Sequence, residues 1–404
     1  MNILIVTQYF WPESFRINEL TKSLKNEGVK ITILTGKPNY PDGKIFDGYN
    51  IFSFQKEKFY ECDIIRVPIL PRGSSNSFRL IINYISFIFS ASLFSPILVK
   101  NKKFDIIFVY GLSPIFSMIP AIILKKIKKI PLITWVGDLW PESLESTGHI
   151  KNKRVLNLIK YCVKYIYSFN DMILVQSIPF IEKIKYLQPN IPIEYFPNPG
   201  ENIFNSEIQD NTYNYKLKQG FNIVFAGNIG TVQSIKMIID TAIILKGNLE
   251  INFYIFGSGS LSNWAKNEIS KNMLENIFLP GRFPQNSMPY IFQQSDVLLV
   301  SLINDDIMNS TVPAKVQSYM AAGKPIIAAM NGEGARLINE SNAGISSPAE
   351  NPYELAKNIL YLKNLNKKEL IKMGENSKSF YKNNFDSKLL ANQLIKKINV
   401  LIKK

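Results

Sequence analysis

The sequence predicts an α/β protein built from two doubly wound domains, and three observations carry that prediction. Short β-rich runs alternate with amphipathic helical stretches through nearly all of the 404 residues, the pattern of parallel sheets covered by helices on both faces. The rhythm restarts after Pro197-Asn-Pro-Gly200. The strands that result are too many for one open sheet, so two sheets joined near 197–210 fit better.

In the first half, residues 3–6, 30–34, 63–67, 105–110, 132–136 and 171–176 read as strands, with helices such as 13–27 and 151–168 between them. Residues 80–99 are uncharged and mostly apolar, long enough to span a bilayer. Asn83, Pro96 and several serines interrupt them, and βα units continue on both sides. The expectation is a helix of the first domain, buried or dipping one face into a membrane interface. In the second half, 222–226, 250–256, 276–280, 296–302 and 325–329 read as strands.

The segment 311–328 is the most informative. Pro313 sits where a helix starts and Gly323 where one stops, and Pro325 then opens an apolar strand. Lys315 is out of place, because a cation in a first helical turn opposes the helix dipole. It becomes useful if an anion is held there by the Lys and the free backbone N–H groups together. The plain alternative is an exposed Lys on a surface helix.

Composition bounds the chemistry. With 46% hydrophobic and 20% charged residues the chain is globular. Cys62 and Cys162 offer neither a disulfide framework nor a metal spacing. The single histidine, His149, makes His-based metal sites and a Ser-His-Asp triad poor candidates. The first residues, Met-Asn-Ile-Leu-Ile-Val, read as a strand rather than a signal, which implies a cytoplasmic, reducing location. The net charge of +15, with runs such as Lys125-Lys-Ile-Lys-Lys129, suits an anionic membrane surface or polyanionic substrate. No nucleic-acid motif accompanies it. A merely solvated basic surface is the alternative.

Ligands in doubly wound sheets bind outside the carboxyl ends of the strands, and the candidate residues lie at those ends. The first strand leads into Thr7-Gln-Tyr-Phe-Trp-Pro-Glu-Ser14, and the strand at 132–136 into Gly137-Asp-Leu-Trp-Pro-Glu-Ser143, so Trp-Pro-Glu-Ser occurs twice. Trp140 offers a face for a sugar ring, and Glu13, Asp138 and Glu142 offer hydroxyl acceptors. Pro-Glu alone is good helix-start chemistry, but that does not explain the Trp or Asp138. Arg16 is a possible anion contact, and Gly36-Lys-Pro-Asn-Tyr-Pro-Asp-Gly43 is a third rigid polar loop. In the second half, Phe225-Ala-Gly-Asn-Ile-Gly-Thr231 is a strand, a glycine turn and a helix start, where Gly227 and Gly230 let backbone N–H groups approach a phosphate. Phe256-Gly-Ser-Gly-Ser260, Arg282 and Asn331-Gly-Glu-Gly-Ala335, with Glu333 and Gly334, end further strands. With Lys315 they form a plausible site for a nucleoside diphosphate.

Taken together these motifs resemble a family 4 glycosyltransferase with the GT-B architecture, nearly end to end. The resemblance rests on the Gly-Asn-Ile-Gly turn, Gly281-Arg, Ser295-Asp-Val-Leu-Leu, Pro313-x-Lys315 with Ala-Ala-Gly-Lys-Pro325, and the Gly-Glu-Gly-Ala region. Trp-Pro-Glu-Ser, Pro38-Asn-Tyr-Pro41 and Asp138-Leu-Trp-Pro-Glu look like the bacterial surface-polysaccharide branch that includes the N-acetyl-L-fucosamine transferase WbuB. The resemblance implies two Rossmann-like domains facing a central cleft. Residues 1–198 would bind the acceptor, with a C-terminal helix at 388–404 packing back on them, and 199–387 would bind the nucleotide sugar. It implies a retaining transfer from a nucleotide sugar, usually UDP-linked, to a lipid-linked oligosaccharide, with no metal or other cofactor. The enzyme would work peripherally on the cytoplasmic face of the inner membrane, in O-antigen, capsule or related synthesis.

Two departures qualify the match. The paired glutamates of many members fall here on Ser310 and Ser318, and the usual Arg and Lys of the phosphate turn on Asn228 and Gln233. Ser318 can still hydrogen-bond a ribose hydroxyl, more weakly than a carboxylate. The expected roles are Lys315 and Arg282 on the diphosphate, Asp138 on the acceptor hydroxyl, and Glu333 on the donor sugar. A non-catalytic partner that binds a nucleotide sugar or glycan for another transferase is the main rival. A nucleotide-sugar epimerase lacks acid–base residues, and a nicotinamide oxidoreductase lacks its glycine fingerprint.

Overall fold

The computed structural model describes residues 1–73, 77–146, 150, 152–200, 202–205 and 215–403; His149 lies outside the described residues. The chain divides into two compact units, Met1–Pro199 with Ser387–Lys404, and Gly200–Asp386.

The first unit contains β1 (Asn2–Val6), β2 (Lys30–Thr35), β3 (Gln55–Phe59), β4 (Cys62–Arg66), β5 (Ile106–Gly111), β6 (Leu132–Val136), β7 (Met172–Val175) and β8 (Ile193–Tyr195). They form one sheet in the order β3-β4-β2-β1-β5-β6-β7-β8, parallel except for the antiparallel β3–β4 pair. Between them run α1 (Arg16–Asn26), α2 (Ser77–Leu98), α3 (Ile119–Lys128), α4 (Glu142–Ser146), α5 (Lys153–Tyr167) and α6 (Pro179–Leu187).

The second unit contains β9 (Phe221–Ala226), β10 (Ile251–Phe256), β11 (Ile277–Gly281), β12 (Val297–Ser301), β13 (Ile326–Ala329) and β14 (Gly344–Ser347). They are all parallel, in the order β11-β10-β9-β12-β13-β14. Its helices are α7 (Ile235–Ile244), α8 (Ser262–Lys271), α9 (Met288–Gln293), α10 (Asp306–Asn309), α11 (Ala314–Ala322), α12 (Gly332–Glu340), α13 (Pro352–Asn364) and α14 (Lys367–Asn384). The last helix, α15 (Ser387–Ile402), belongs to the first unit, where it packs on α1.

Every strand expected from the sequence is present. Three were not anticipated: β3, β8 and β14. The first reads Gln-Lys-Glu-Lys-Phe, an edge strand whose charges keep it from pairing further. The others are short and partly exposed, so their apolar signal is weak.

Side-chain alternation builds the cores. In the first sheet Ile3, Ile5, Ile33, Phe108 and Trp135 face α1 and α15, whose Leu20, Leu24, Leu394 and Ile398 complete that cluster. The alternate residues, Leu4, Val6, Val109 and Val136, are equally buried and face the other layer. A right-handed crossover puts α2, α3, α5 and α6 in that second layer, because each carries the chain from β4 across to β8 in one direction. In the second sheet, likewise, one face packs on α7 and α13 and the other on α11 and α14.

Helix α2 is not simply buried. Asn83, Phe87, Ala91 and Ser95 are fully buried against the unit, whereas Phe78, Ile81, Ile85, Phe89, Leu93 and Ile97 stand exposed. It is a helix long and apolar enough to cross a membrane, here laid along the surface of its unit.

Candidate functional site

The topology of the second sheet marks a crevice before any side chain is considered. β9 leads to β10 on one side, while β12 lies on its other side and leads to β13. Such a switch point opens a gap at the carboxyl ends of the strands. The chain leaves β9 through Gly227-Asn-Ile-Gly230 into a 3₁₀ turn, Thr231–Gln233. Ladder-like bonds hold this loop to its neighbours: Gly227 N donates to Phe256 O at 2.8 Å, and Gly257 N to Gly281 O at 2.8 Å. A Cβ on Gly257 would strike the carbonyl of Gly227, and both glycines have φ values no other residue adopts easily, +142° and +148°.

Lys315 enters this crevice from the first turn of α11. That helix starts after Pro313 and stops at Gly323, whose φ is 68°. Tyr319, one turn on, anchors it to β9 by accepting a bond from Ala226 N at 3.0 Å. The Lys315 ammonium lies over the Phe225 ring, 3.4 Å from its centroid, and a Cβ at Gly227 would come within 2.8 Å of it. Although the residue as a whole is partly exposed, its Nζ is out of solvent contact and has no hydrogen-bond partner among the described residues. Burial pushes its pKa down to about 7, because a desolvated ammonium without a counter-charge favours its neutral form. A cation with no counter-charge among the described residues, held beside a glycine turn, is an arrangement that can receive an anion.

The start of α12 borders the same place. A Cβ on Gly334 would come within 3.3 Å of Pro313 Cδ. Glu333 beside it is buried and takes a two-point bond from Arg336, 2.8 Å from Nε to Oε2 and 2.7 Å from a terminal guanidinium nitrogen to Oε1. Arg282 follows Gly281 directly and is exposed. Ser318 is buried, and its Oγ bonds back to Ala314 O at 3.2 Å. Ser310 bonds back to Asp306 O at 2.7 Å.

The first sheet has its own switch point, between β1 and β5, and the polar residues of the unit gather there. Glu13 is a clamp: its carboxylate accepts from Asn39 N and Tyr40 N at 2.8 Å each and from Phe10 N at 3.2 Å. Burial outweighs those bonds and raises its pKa to about 7. Arg66, wholly buried, ties the same loops by donating to Gly36 O at 2.8 Å and to Trp11 O and Glu57. On the β5–β6 side, Ser113 N and Oγ both donate to one oxygen of Asp138, at 3.0 and 2.9 Å. The Trp140 indole donates to that Ser113 Oγ at 2.9 Å.

Helix α2 closes this group. Gln8 Nε2 donates to Asn83 Oδ1 at 2.7 Å, and Asn83 Nδ2 to Leu70 O at 2.6 Å. Tyr84 hydrogen-bonds Tyr9 and feels the charges of Arg72 and Asp138; burial raises its pKa. Tyr9 stacks on Phe15 at 5.2 Å, and Arg72 lies over the Tyr40 ring at 4.9 Å. Beside the amino end of α2, Lys44, Ile45, Ile51, Leu70, Arg79 and Ile82 line a pocket of about 460 Å³.

Against this geometry, residues 220–364 match the model of the family described as glycosyl transferases group 1. The matched residues lie wholly within the second unit, which is thus similar to a group 1 glycosyltransferase domain. Over 300 residues the chain is 24% identical to an uncharacterized glycosyltransferase of Methanocaldococcus jannaschii, covering 74% of this chain and 76% of that one. In structure it is similar to a sucrose-phosphate synthase from Thermosynechococcus elongatus, with a TM-score of 0.70 and 13% identity over 100% and 99% of the two chains. A UDP-forming α,α-trehalose-phosphate synthase from Burkholderia vietnamiensis gives 0.73 at 9% identity over 99% and 100%. Anabaena HepE in complex with UDP gives 0.70 at 12% identity over 99% and 100%. These likenesses show the fold, which is the GT-B type with two Rossmann-like units.

Within the second unit the structure brings Lys315 against Gly227 and Gly334 against Pro313 at the start of the same helix, and Gly230 and Arg282 stand on the loops after β9 and β11. Three readings of side chains change. Glu333 is committed to Arg336, a partner the sequence reading did not single out, although the spacing i, i+3 was visible. In the first unit, Glu13 organises loops instead of offering a free hydroxyl acceptor, and Trp140 is largely buried with its N–H on Ser113. The two Trp-Pro-Glu-Ser copies have therefore diverged: Glu142 stays partly exposed where Glu13 is buried. Arg16 and Asp138 both act electrostatically on the buried Tyr110 of β5.

Proposed function

We propose that the protein is a retaining glycosyltransferase that moves a sugar from a UDP-linked donor onto a lipid-linked glycan. The donor would be an amino sugar such as N-acetyl-L-fucosamine, and the setting O-antigen, capsule or related polysaccharide synthesis on the cytoplasmic face of the inner membrane. The observation that carries the reading is the buried, unpaired ammonium of Lys315 against the Gly227 turn. A nucleoside diphosphate supplies the missing anion. The structural neighbour complexed with UDP supports the nucleotide, and the pocket beside α2 supports the acceptor: its walls are mostly apolar, and Lys44 and Arg79 outweigh Asp42 in charge, which suits a lipid diphosphate.

In the transfer, the acceptor hydroxyl oxygen bonds to the anomeric carbon as the bond from that carbon to the diphosphate oxygen breaks. The proton passes to the departing diphosphate on the same face of the sugar. Lys315, Arg282 and the N–H groups near Gly227, Gly230 and Gly334 stabilise the charge that develops on the leaving group. Asp138, held by Ser113, positions the acceptor hydroxyl. The choice of sugar follows the resemblance to the surface-polysaccharide branch alone.

The test is a donor screen with purified protein and a lipid-linked acceptor, using UDP-linked N-acetyl-L-fucosamine, N-acetylglucosamine and galactose. Transfer from one donor, abolished in Lys315→Ala, is expected. One observation favours a second reading: Ser310 and Ser318 stand where paired glutamates are usual, and both bond back to their own helices. Tight UDP binding without transfer to any acceptor would make the protein a non-catalytic nucleotide-sugar-binding partner.

A further inference from the structure

We infer that the outer surface of the α2–α3–α5 layer is a docking face for an anionic lipid bilayer, with α2 lying flat and its outward row entering the lipid. The inference deepens the proposed lipid-linked acceptor and rests on that reading only for its purpose, not for its evidence.

The row comes first. Phe78, Ile81, Ile85, Phe89, Leu93 and Ile97 recur every three or four residues and so share one stripe of the helix. Each is more than half exposed, and no charged residue lies between Arg79 and Lys100. An apolar stripe of six turns turned to water is costly. The opposite side of the same helix is fixed to the unit by Asn83, Phe87, Ala91 and Ser95, so rotation cannot hide the stripe. The end of α2 is also secured, because Lys128 of α3 donates to the carbonyls of Val99, Lys100 and Lys102 at 2.9, 2.9 and 3.0 Å. This anchoring rules out withdrawal of α2 as a bilayer-spanning segment without loss of buried polar bonds.

Charge then selects the occupant. The sequences of α2, α3 and α5 contain no Asp or Glu at all. Against that, Lys126, Lys129, Lys153, Arg154 and Lys164 are exposed on α3, α5 and their ends. α5 adds Leu158, Tyr161 and Tyr165, all exposed, on its outer face, the apolar–aromatic–cationic mixture that sits at a headgroup boundary. A second copy of this chain would bring cations against cations. An acidic protein would match the charge but not the uninterrupted apolar row. An anionic bilayer matches both, each basic residue near its surface adding to the attraction.

The same helix also reaches the crevice. Asn83 and Tyr84, on the inward side of α2, join Gln8, Tyr9 and Asn39 at the switch point of the first sheet. Docking through the outward row would therefore place a bilayer directly behind one wall of the acceptor residues.

The test is partition of the full-length protein onto vesicles of phosphatidylcholine alone and of phosphatidylcholine mixed with phosphatidylglycerol, with UDP binding measured on the same samples. Wild type is expected to favour the anionic vesicles and to lose that preference as salt rises. Phe89→Glu with Leu93→Glu, and separately Lys126→Glu with Lys164→Glu, should each lower partition by about tenfold or more. All four positions are exposed, so melting and UDP binding should not change. Binding that ignores lipid charge, or that survives both double variants, would overturn the docking face. So would a wild-type dimer in solution that Phe89→Glu with Leu93→Glu makes monomeric while vesicles bind neither. Retained UDP binding in those cases leaves the transferase reading intact, whereas vesicle binding without UDP binding would sustain the docking face and remove the donor site.

Discussion

The ammonium of Lys315 lies 3.4 Å from the centroid of the Phe225 ring, at the end of the strand that runs into Gly227. A cation over a ring gains some attraction, but not enough to replace water and a counter-charge, and its pKa falls to about 7. The protein thus carries a buried charge that a bound anion would relieve. Replacing that charge should stabilise the fold while removing function. Below pH 7 the native state holds the buried ammonium and bears its full cost. Between about 7 and the ordinary lysine value of 10.5 the native state sheds the proton that the unfolded chain keeps, so stability rises with pH. Lys315→Met is therefore expected to raise stability by roughly 1–3 kcal/mol at pH 6, with the gain shrinking toward pH 9. Urea denaturation at the two pH values checks it; a destabilised variant at pH 6 would contradict the buried-charge account.

The same pKa governs the donor. A diphosphate bound there, as proposed, would restore the charged form of Lys315, so binding would take up a proton when the free protein is neutral there. Affinity for a UDP-sugar should fall as pH rises above about 7, by up to about tenfold per unit. A UDP-sugar is the right probe because its diphosphate does not titrate in this range. Calorimetry in buffers of different ionisation enthalpy would show the proton uptake, and Lys315→Met should abolish both the uptake and the pH dependence.

Gly227 and Gly257 share a backbone conformation that strains any alanine, with φ of +148° and +142°, but they differ in what a methyl would meet. An alanine methyl at Gly227 meets the flexible end of Lys315. That displaces the ammonium and should weaken UDP binding by about tenfold or more, for a loss near 1.4 kcal/mol. At Gly257 the methyl meets the backbone of Gly227, which cannot give way, so the second unit should lose on the order of 1–3 kcal/mol of stability. Both variants carry the strain of a positive φ, so Gly257→Ala should melt lower than Gly227→Ala while Gly227→Ala binds UDP more weakly; a larger stability loss at Gly227 would refute the assignment.

Much of this was legible in the chain. Pro313, Gly323 and the apolar run at 326–329 set out α11 and β13, because helix ends and buried strands write themselves in local residue types. The glycine turn after β9 was equally visible. What sequence did not reveal depends on distant pairing. Asn83 read as an interruption of an apolar stretch, yet it is the polar peg that fixes α2 to Gln8 and Leu70, a role only the folded chain supplies. Ser113 carried no motif, though it holds both Asp138 and Trp140. Glu13 and Glu142 occur in identical tetrapeptides, and only tertiary burial makes one a clamp and leaves the other partly exposed. The unpaired state of Lys315 is likewise a property of packing.

Asp138 should act on transfer and not on the donor. It belongs to the first unit, where Ser113 N and Oγ hold one of its oxygens. Asp138→Asn keeps the shape but removes the charge proposed to orient an acceptor hydroxyl. The expected result is a fall in kcat of about 10²–10⁴ with UDP-sugar affinity unchanged. Ser113→Ala should give a smaller fall and cost roughly 1 kcal/mol of stability through the lost bonds to Asp138 and Trp140. A change in donor affinity in either variant would show that Asp138 is not confined to the acceptor side.

Glu13 makes a prediction of opposite sign to that of an ordinary carboxylate. Its pKa is raised to about 7, chiefly by burial and against the pull of three backbone N–H groups, so the native state holds a proton that the unfolded chain has released. Its contribution to stability is present below the ordinary value of 4.5 and is lost as pH rises through about 7. Glu13→Gln fixes the neutral form and should flatten the decline between those values, while keeping an oxygen to accept from Asn39 N and Tyr40 N. Glu13→Ala leaves all three N–H groups without an acceptor and should cost on the order of 2–4 kcal/mol at any pH. Denaturation curves of the three proteins at pH 5 and pH 7.5 decide the matter. A Glu13→Gln variant that loses stability in parallel with wild type across that interval would place the titration elsewhere and leave the clamp as a purely neutral set of hydrogen bonds.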